Sequence, residues 1–278
     1  MSERKIIESF GALPFKFDVR DYKIKKSALK SETFPNEFTL VPIKVKNQGS
    51  VGSCVAHAIA ETVEYHNREQ EHNDKLMSTG FIYGNRRNSL SKASGMYVRE
   101  ALANTCKYGT TYKEDFKENV EVPKAIDLFE QRFDELKDKA YPNRFSTYFR
   151  LTSDNDIKHA LMNYGPVVFA MRWRKGIYVD NGNIMHVDQK AKATGGHCMI
   201  IYGWTEEGWK IQNSWGSSWG KNGYAILPFN VKKSEAWGVT DEVTGENPDI
   251  VKPVYNTTFA RFIAKIINWI MNLFRKDK

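Results

Sequence analysis

Gln48-Gly49-Ser50-Val51-Gly52-Ser53-Cys54 is the stretch on which the reading of this chain turns. Gly49, Ser50 and Gly52 make a tight turn, and the turn delivers a cysteine to the start of a helix. From there Val55, Ile59 and Val63, and beside them Cys54, Ala58 and Glu61, recur at helical spacing, which predicts a helix to about residue 71. An isolated thiol with a pKa of ~8.5 is mostly protonated at neutral pH. A helix N-terminus together with an imidazolium neighbour lowers that to roughly 3.5–7.5. Cys54 has the first by local sequence and needs the fold for the second.

Two segments far downstream carry the missing groups. Gly196-His197 is followed by an apolar run over 199–202, and Gln212-Asn213-Ser214-Trp215-Gly216 comes shortly after. His197 needs a partner for its other ring nitrogen, and Asn213, neutral and hydrogen-bonding, suits that task. Trp215 is placed to keep water from that bond. Gln48 is placed to donate to an oxyanion beside the Cys54 backbone N–H. Thiol, imidazole, orienting amide and oxyanion donor are the groups that acyl transfer by a cysteine nucleophile requires. Cys106 and Cys198 read as core packing, and His66, His72, His159 and His186 as structural. His57, at i+3 from Cys54, points back over its own helix. No Cys-x-x-Cys or His-x-x-x-His spacing marks a metal site, and no cofactor is expected.

A helical half precedes a sheet-rich half. Helices are predicted near 54–71, 96–107, 123–139 and 154–163, the last capped by Ser153 or Asp154; strands are predicted near 166–173, 198–204, 208–213 and 224–227. The nucleophile lies in the first half and His197 with Asn213 in the second, so the cleft is expected between them. Residues 1–33 read as a basic N-terminal extension and 229–258 as a linker.

The 278 residues suffice for a large core, and 41% hydrophobic with 13% aromatic content is globular. The net charge of +8 is concentrated in residues 1–46 and 261–278, while the body is balanced. A nucleic-acid-binding surface, expected as a basic stripe on the body, is therefore not expected. Three cysteines are too few and odd in number for a disulfide scaffold. Neither a signal peptide nor a membrane span is read. These features imply a cytoplasmic or otherwise reducing intracellular compartment.

The chain resembles the papain-like cysteine peptidases. The carrying segments are 45–54, Gly196-His197 with the strand after it, and 209–224, the most specific; Tyr164-Gly165-Pro166-Val167-Val168 and Lys175-Gly176-Ile177-Tyr178 are weaker matches, and the likeness spans about residues 35–228. It implies an α+β, two-lobed fold over 34–228, with a helical lobe (about 47–145) and a β-barrel-like lobe (about 146–228). It implies Cys54 as nucleophile, His197 as general base and acid, Asn213 as orienting residue and Gln48 as oxyanion donor. Gly95, Gly196 and Trp215 line or support the cleft, and the substrate is a peptide or protein. Val51 replaces a disulfide cysteine of secreted members, and Val55 replaces a frequent tryptophan or tyrosine. The lead over 10–22 and the stretch 78–108 look like bacterial or virus-borne branches, without the long helical propeptide.

Phe259, Phe262, Ile263, Ile266, Ile270 and Leu273 line one face of an expected amphipathic helix over 259–274. Its open uses are packing on the body or a partner protein, lying on an anionic membrane surface for peripheral association, or blocking the cleft. For the whole chain the leading expectation is a cysteine endopeptidase. The alternatives are a peptide ligase, deamidase or exopeptidase on the same groups, or a non-enzymatic binding protein of this fold.

Overall fold

In the computed structural model, which describes residues 10–30, 32–71, 73–87, 89–241, 249–251 and 266, the cysteine-bearing helix packs against a broad sheet. In chain order come β1 (Tyr22–Ile24), α1 (Lys26–Lys30), β2 (Phe38–Thr39), α2 (Cys54–Glu71), α3 (Thr79–Gly84), α4 (Val98–Tyr108), α5 (Lys124–Ala140), β3 (Thr147–Leu151) and α6 (Asp154–Asn163). Then follow β4 (Val167–Arg174), β5 (Tyr178–Val179), β6 (Met185–His186), β7 (Ala193–Trp204), β8 (Gly208–Gln212), β9 (Tyr224–Pro228), β10 (Lys233–Thr240) and β11 (Ile250–Val251).

The nine-stranded sheet runs β11-β1-β3-β10-β4-β7-β8-β9, with β2 added to β7. All its pairs are antiparallel except β1 with β3. Strands β4 and β7 serve two cores by alternation. Val167, Phe169, Met171 and Trp173 with Met199 and Ile201 face a core of the sheet lobe. Val168 and Ala170 with Cys198 and Ile200 face α2. Being buried on both sides, these strands read as continuous apolar runs.

The helical lobe follows the spacing of its apolar side chains. Val98, Ala101, Leu102 and Thr105 form the buried face of α4, and Phe129, Phe133, Leu136 and Ala140 that of α5. Phe81 of α3 packs on Phe129 and Phe116 at ring separations of 4.9 and 5.6 Å; each such buried ring contributes roughly 1.5–3 kcal/mol. Helix α6 starts with a capping box in which Ser153 accepts from Asp156 N–H at 3.1 Å. Of the two caps expected there, Ser153 is the one used.

Two boundaries differ from expectation. Residues 233–240, read as part of a linker, are strand β10, held between β3 and β4. Ala236 faces the sheet-lobe core and Trp237 and Val239 the α2 core, so the strand carries no polar-apolar alternation to announce it. Residues 10–30, read as an extension, are built into the domain. Strand β1 joins the sheet, and Asp21, nearly fully buried, pairs with Arg99 of α4. The expected helix over 259–274 and His72 lie outside the described residues, apart from Ile266. Among the described residues no helix is long and apolar enough to cross a membrane.

Candidate active site

Cys54 is the first residue of α2, and the turn before it is held from several directions. Gly49 sits at φ +58°, a left-handed position that favours glycine. Gly52 N–H donates to Glu121 Oε1 at 3.0 Å, and Tyr83 donates to Glu121 Oε2 at 3.1 Å, so a carboxylate outside the motif pins the turn before Cys54. Gln48 is fully buried and its backbone N–H donates to Ser214 O at 2.9 Å. Its Oε1 accepts from Ser214 Oγ at 2.6 Å and its Nε2 donates to Val51 O at 2.8 Å. The glutamine thus bridges the loop before α2 and the loop after β8.

His197 lies on β7, and its Nε2 is 2.7 Å from Asn213 Oδ1. That same oxygen accepts the backbone N–H of Ser214 at 2.8 Å. A backbone N–H can only donate, so the atom between them is the amide oxygen, and His197 must carry its proton on Nε2. Nδ1 is thereby left with a lone pair, and it makes no hydrogen bond to a described residue. Trp215 lies over the imidazole with ring centroids 4.6 Å apart, and Trp173 meets it edge-on at 5.2 Å. Burial lowers the His197 pKa to about 4, against support from Asn213, so the ring is neutral.

The cleft is occupied by the chain's own lead, residues 10–21, hereafter the strap. Gly11 and Ala12 N–H both donate to Gly196 O, at 3.2 and 2.9 Å. Met96 N–H donates to Gly11 O at 2.7 Å, and Leu13 N–H donates to Met96 O at 2.9 Å, a parallel bridge centred on Ala12 and Met96. Gly95 and Gly196 accordingly lie against the strap, and a Cβ on Gly95 would stand 2.7 Å from Gly11 O. A Cβ on Gly11 itself would overlap the Gly52 carbonyl.

Cys54 is consequently fully buried. Desolvation pushes its pKa up to about 11, although the N–H groups of Cys198, Gly11, Val55 and Ala12 around the sulfur favour the thiolate. The helix N-terminus is in place as expected, but in this conformation burial outweighs it. His57 Nδ1 bonds back to the carbonyl of Ser53, the residue just before its own helix, at 3.0 Å, and burial lowers its pKa to about 4. Cys106 and Cys198 are unpaired thiols, the latter buried in the α2 core. His159 pairs with Glu32 and His186 with Asp180, away from the cleft.

Sequence reasoning placed Gln48, Cys54, His197, Asn213 and Trp215 in one site but missed Ser214, Glu121, Trp173 and the strap. Ser214 was quoted within its motif, and its hydroxyl beside an amide-rich run was the available signal. The strap left no such signal, since its bonds to Gly196 and Met96 are made by backbone atoms.

The model of a family described as papain family cysteine protease matches residues 39–245. With that match over most of its length, the chain belongs to the papain family of cysteine proteases and is a hydrolase of the thiol type. It is 26% identical to an uncharacterized peptidase C1-like protein of Acanthamoeba polyphaga mimivirus, over 84% of this chain and 86% of that protein. It is also 26% identical to a cysteine protease of the mite Blomia tropicalis, over 81% of this chain and 64% of that protein. In fold it is similar to the crystal structure of xylellain, a cysteine protease from Xylella fastidiosa, with a TM-score of 0.69 and 21% identity over 87% of this chain and 99% of that one.

Proposed function

We propose that the chain is an endopeptidase that works through a Cys54 thioester. His197 Nδ1 takes the thiol proton, and the thiolate attacks the substrate carbonyl carbon. The resulting oxyanion is held by Cys54 N–H and the Gln48 side chain. The carbon–nitrogen bond then breaks, the imidazolium gives its proton to the departing amine, and the acyl group stays on sulfur. Water, deprotonated by His197, releases the acid and restores the thiol.

The observation that carries this reading is the double acceptance at Asn213 Oδ1, which leaves His197 Nδ1 as a proton acceptor. Cys54 at the start of α2 supports it. With the strap in place both groups are neutral, so the conformation described is a resting one. The unpaired cysteines support work in a reducing compartment.

The test is turnover of a peptide mixture by the full-length chain and its variants, with product masses read directly. Cys54→Ala is expected to abolish cleavage, and Gln48→Ala to reduce kcat by about 10²–10³-fold, as loss of an oxyanion donor does. Full activity in either variant would remove that residue's role, and ligated or deamidated products would replace the reaction.

A further inference from the structure

Helix α2 carries two acidic side chains into the contact between the lobes, and one cation meets them. Glu61 and Glu64 are both almost fully buried. Lys46, from the loop before α2, pairs with Glu64 Oε1 at 2.6 Å, and Met77 N–H donates to the same oxygen at 2.5 Å. The ammonium therefore belongs to Glu64. Glu61 is left with no ion pair among the described residues, and its Oε1 has no hydrogen-bond partner among them.

Gln212 forms the sheet side of this contact. It stands opposite Ile200 in the register of β7 and β8, and Ile200 and Cys198 face α2. Asn213, the next residue, turns the other way and bonds His197. Gln212 is fully buried beside the Glu61 carboxyl, yet neither of its amide atoms has a hydrogen-bond partner among the described residues. Around the pair the contact is apolar, built from Val55, Ala58 and Ile59 of α2 with Cys198 and Ile200 of β7.

Charge counting decides the state of Glu61. A carboxyl this deep is either paired or takes a proton, and two carboxylates sharing one site do not both ionise. The other titratable groups that face Glu61 bring no positive charge. Burial holds Tyr224 of β9 and Cys198 of β7 neutral, and His57, one turn earlier on α2, is neutral for the same reason. Burial also drives the Glu61 pKa well above its ordinary value, against the pull of Lys46 and with the push of Glu64. An amide that faces a neutral acid offers it Oε1 as acceptor, whereas one that faces a carboxylate offers Nε2 as donor. One proton thus satisfies both side chains.

We propose that Glu61 works as a neutral acid that donates its proton to Gln212 Oε1 across the contact between the lobes, and that it is a positioning residue for the reaction. Glu61 and Cys54 ride on the same helix, and Gln212 immediately precedes Asn213. The bond therefore sets where the thiol stands relative to the His197–Asn213 pair. This rests on the endopeptidase reading.

Three full-length chains test it: the unaltered one, Glu61→Gln and Glu61→Ala. Glutamine keeps the shape and the donor of a neutral acid but does not titrate. Glu61→Gln is expected to hold kcat for peptide cleavage within about twofold, whereas Glu61→Ala loses roughly 3–10-fold, the worth of one neutral hydrogen bond, with KM nearly unchanged. A folded-state pKa raised above 4.5 means that the Glu61 contribution to stability is complete below 4.5 and is lost as pH rises from there. The unfolding equilibrium constants of the unaltered and Glu61→Gln chains should therefore diverge on the alkaline side, by up to about tenfold per pH unit, with the glutamine chain the more stable. The infrared carbonyl band of protonated carboxyls should weaken in Glu61→Gln at neutral pH. Parallel pH dependences of unfolding would show Glu61 ionised and overturn the proposal. So would an unchanged kcat in Glu61→Ala, or a Glu61→Gln chain as slow as Glu61→Ala. If the unaltered chain cuts no peptide, the endopeptidase reading falls and the positioning role with it, while the unfolding curves still decide whether Glu61 holds its proton.

Discussion

Ser214 donates its hydroxyl proton to Gln48 Oε1 across 2.6 Å, and the Gln48 backbone N–H donates to Ser214 O across 2.9 Å. The two residues stand on either side of the cleft in sequence, one before α2 and one after β8. By fixing Oε1, the hydroxyl determines where the Gln48 NH2 group points.

On the proposed mechanism Ser214 is therefore a positioning residue for the oxyanion site. Ser214→Ala is expected to lower kcat by roughly 2–10-fold, the worth of one neutral hydrogen bond, with KM nearly unchanged. Ser214→Thr keeps the hydroxyl and should restore most of the rate. In a Gln48→Ala background the serine substitution should add nothing, because the two act as a unit. Additive losses in the double variant would show that Ser214 acts elsewhere.

Gly11 tests whether the strap is held by backbone contact. A Cβ at residue 11 would overlap the Gly52 carbonyl, which belongs to the turn before Cys54 and cannot move aside as a side chain could. Gly11→Ala is expected to lift the strap and speed Cys54 alkylation, with the unfolding midpoint shifted only slightly. An unchanged alkylation rate would mean that the cleft opens without regard to the strap.

These relationships divide by how local their causes are. The turn around Gly49 and the apolar spacing of α2 are encoded within one stretch, and the motifs around His197 and Asn213 are short and distinctive. The strap is different, since its bonds to Gly196 and Met96 are made by backbone atoms and carry no side-chain signature. Strand β10 was hidden because Ala236 and Trp237 face opposite cores, which erases the alternation that reveals a half-exposed strand. Helix α3, at six residues, is too short to show a period. The raised Cys54 pKa was illegible for the same reason as the strap: the groups that bury the thiol come from elsewhere in the chain.

Behind Gln48 lies a buried ion pair. Lys46 Nζ is 2.6 Å from Glu64 Oε1, both side chains being under a tenth exposed, and Met77 N–H donates to the same carboxylate at 2.5 Å. Burial raises the Glu64 pKa against the pull of Lys46. Lys46→Met leaves that carboxylate buried without its cation and is expected to destabilise the fold by about 3–5 kcal/mol. Lys46→Met with Glu64→Gln should recover most of the loss. Both are read by denaturant unfolding, and a single variant as stable as the parent would show that the pair is dispensable.

The thiol itself reports on the strap through its titration. In the closed conformation burial holds the Cys54 pKa at about 11, against an ordinary value of 9.0, and holds His197 neutral down to about 4. A raised acid pKa means that the folded form keeps its proton after an exposed thiol has lost it. The contribution to the closed state is thus fully present below 9.0 and is lost as pH rises from there through about 11. Alkylation of the unaltered chain by iodoacetamide should therefore stay slow across neutral pH and climb only on the alkaline side, towards a midpoint near 11. With Gly11→Ala, water returns to the sulfur and to His197, and the α2 dipole is no longer outweighed. The midpoint should then fall below the ordinary thiol value, into the range of roughly 3.5–7.5 reached when a helix N-terminus and an imidazolium act together. Midpoints that coincide in the two chains would mean that the strap does not control the thiol.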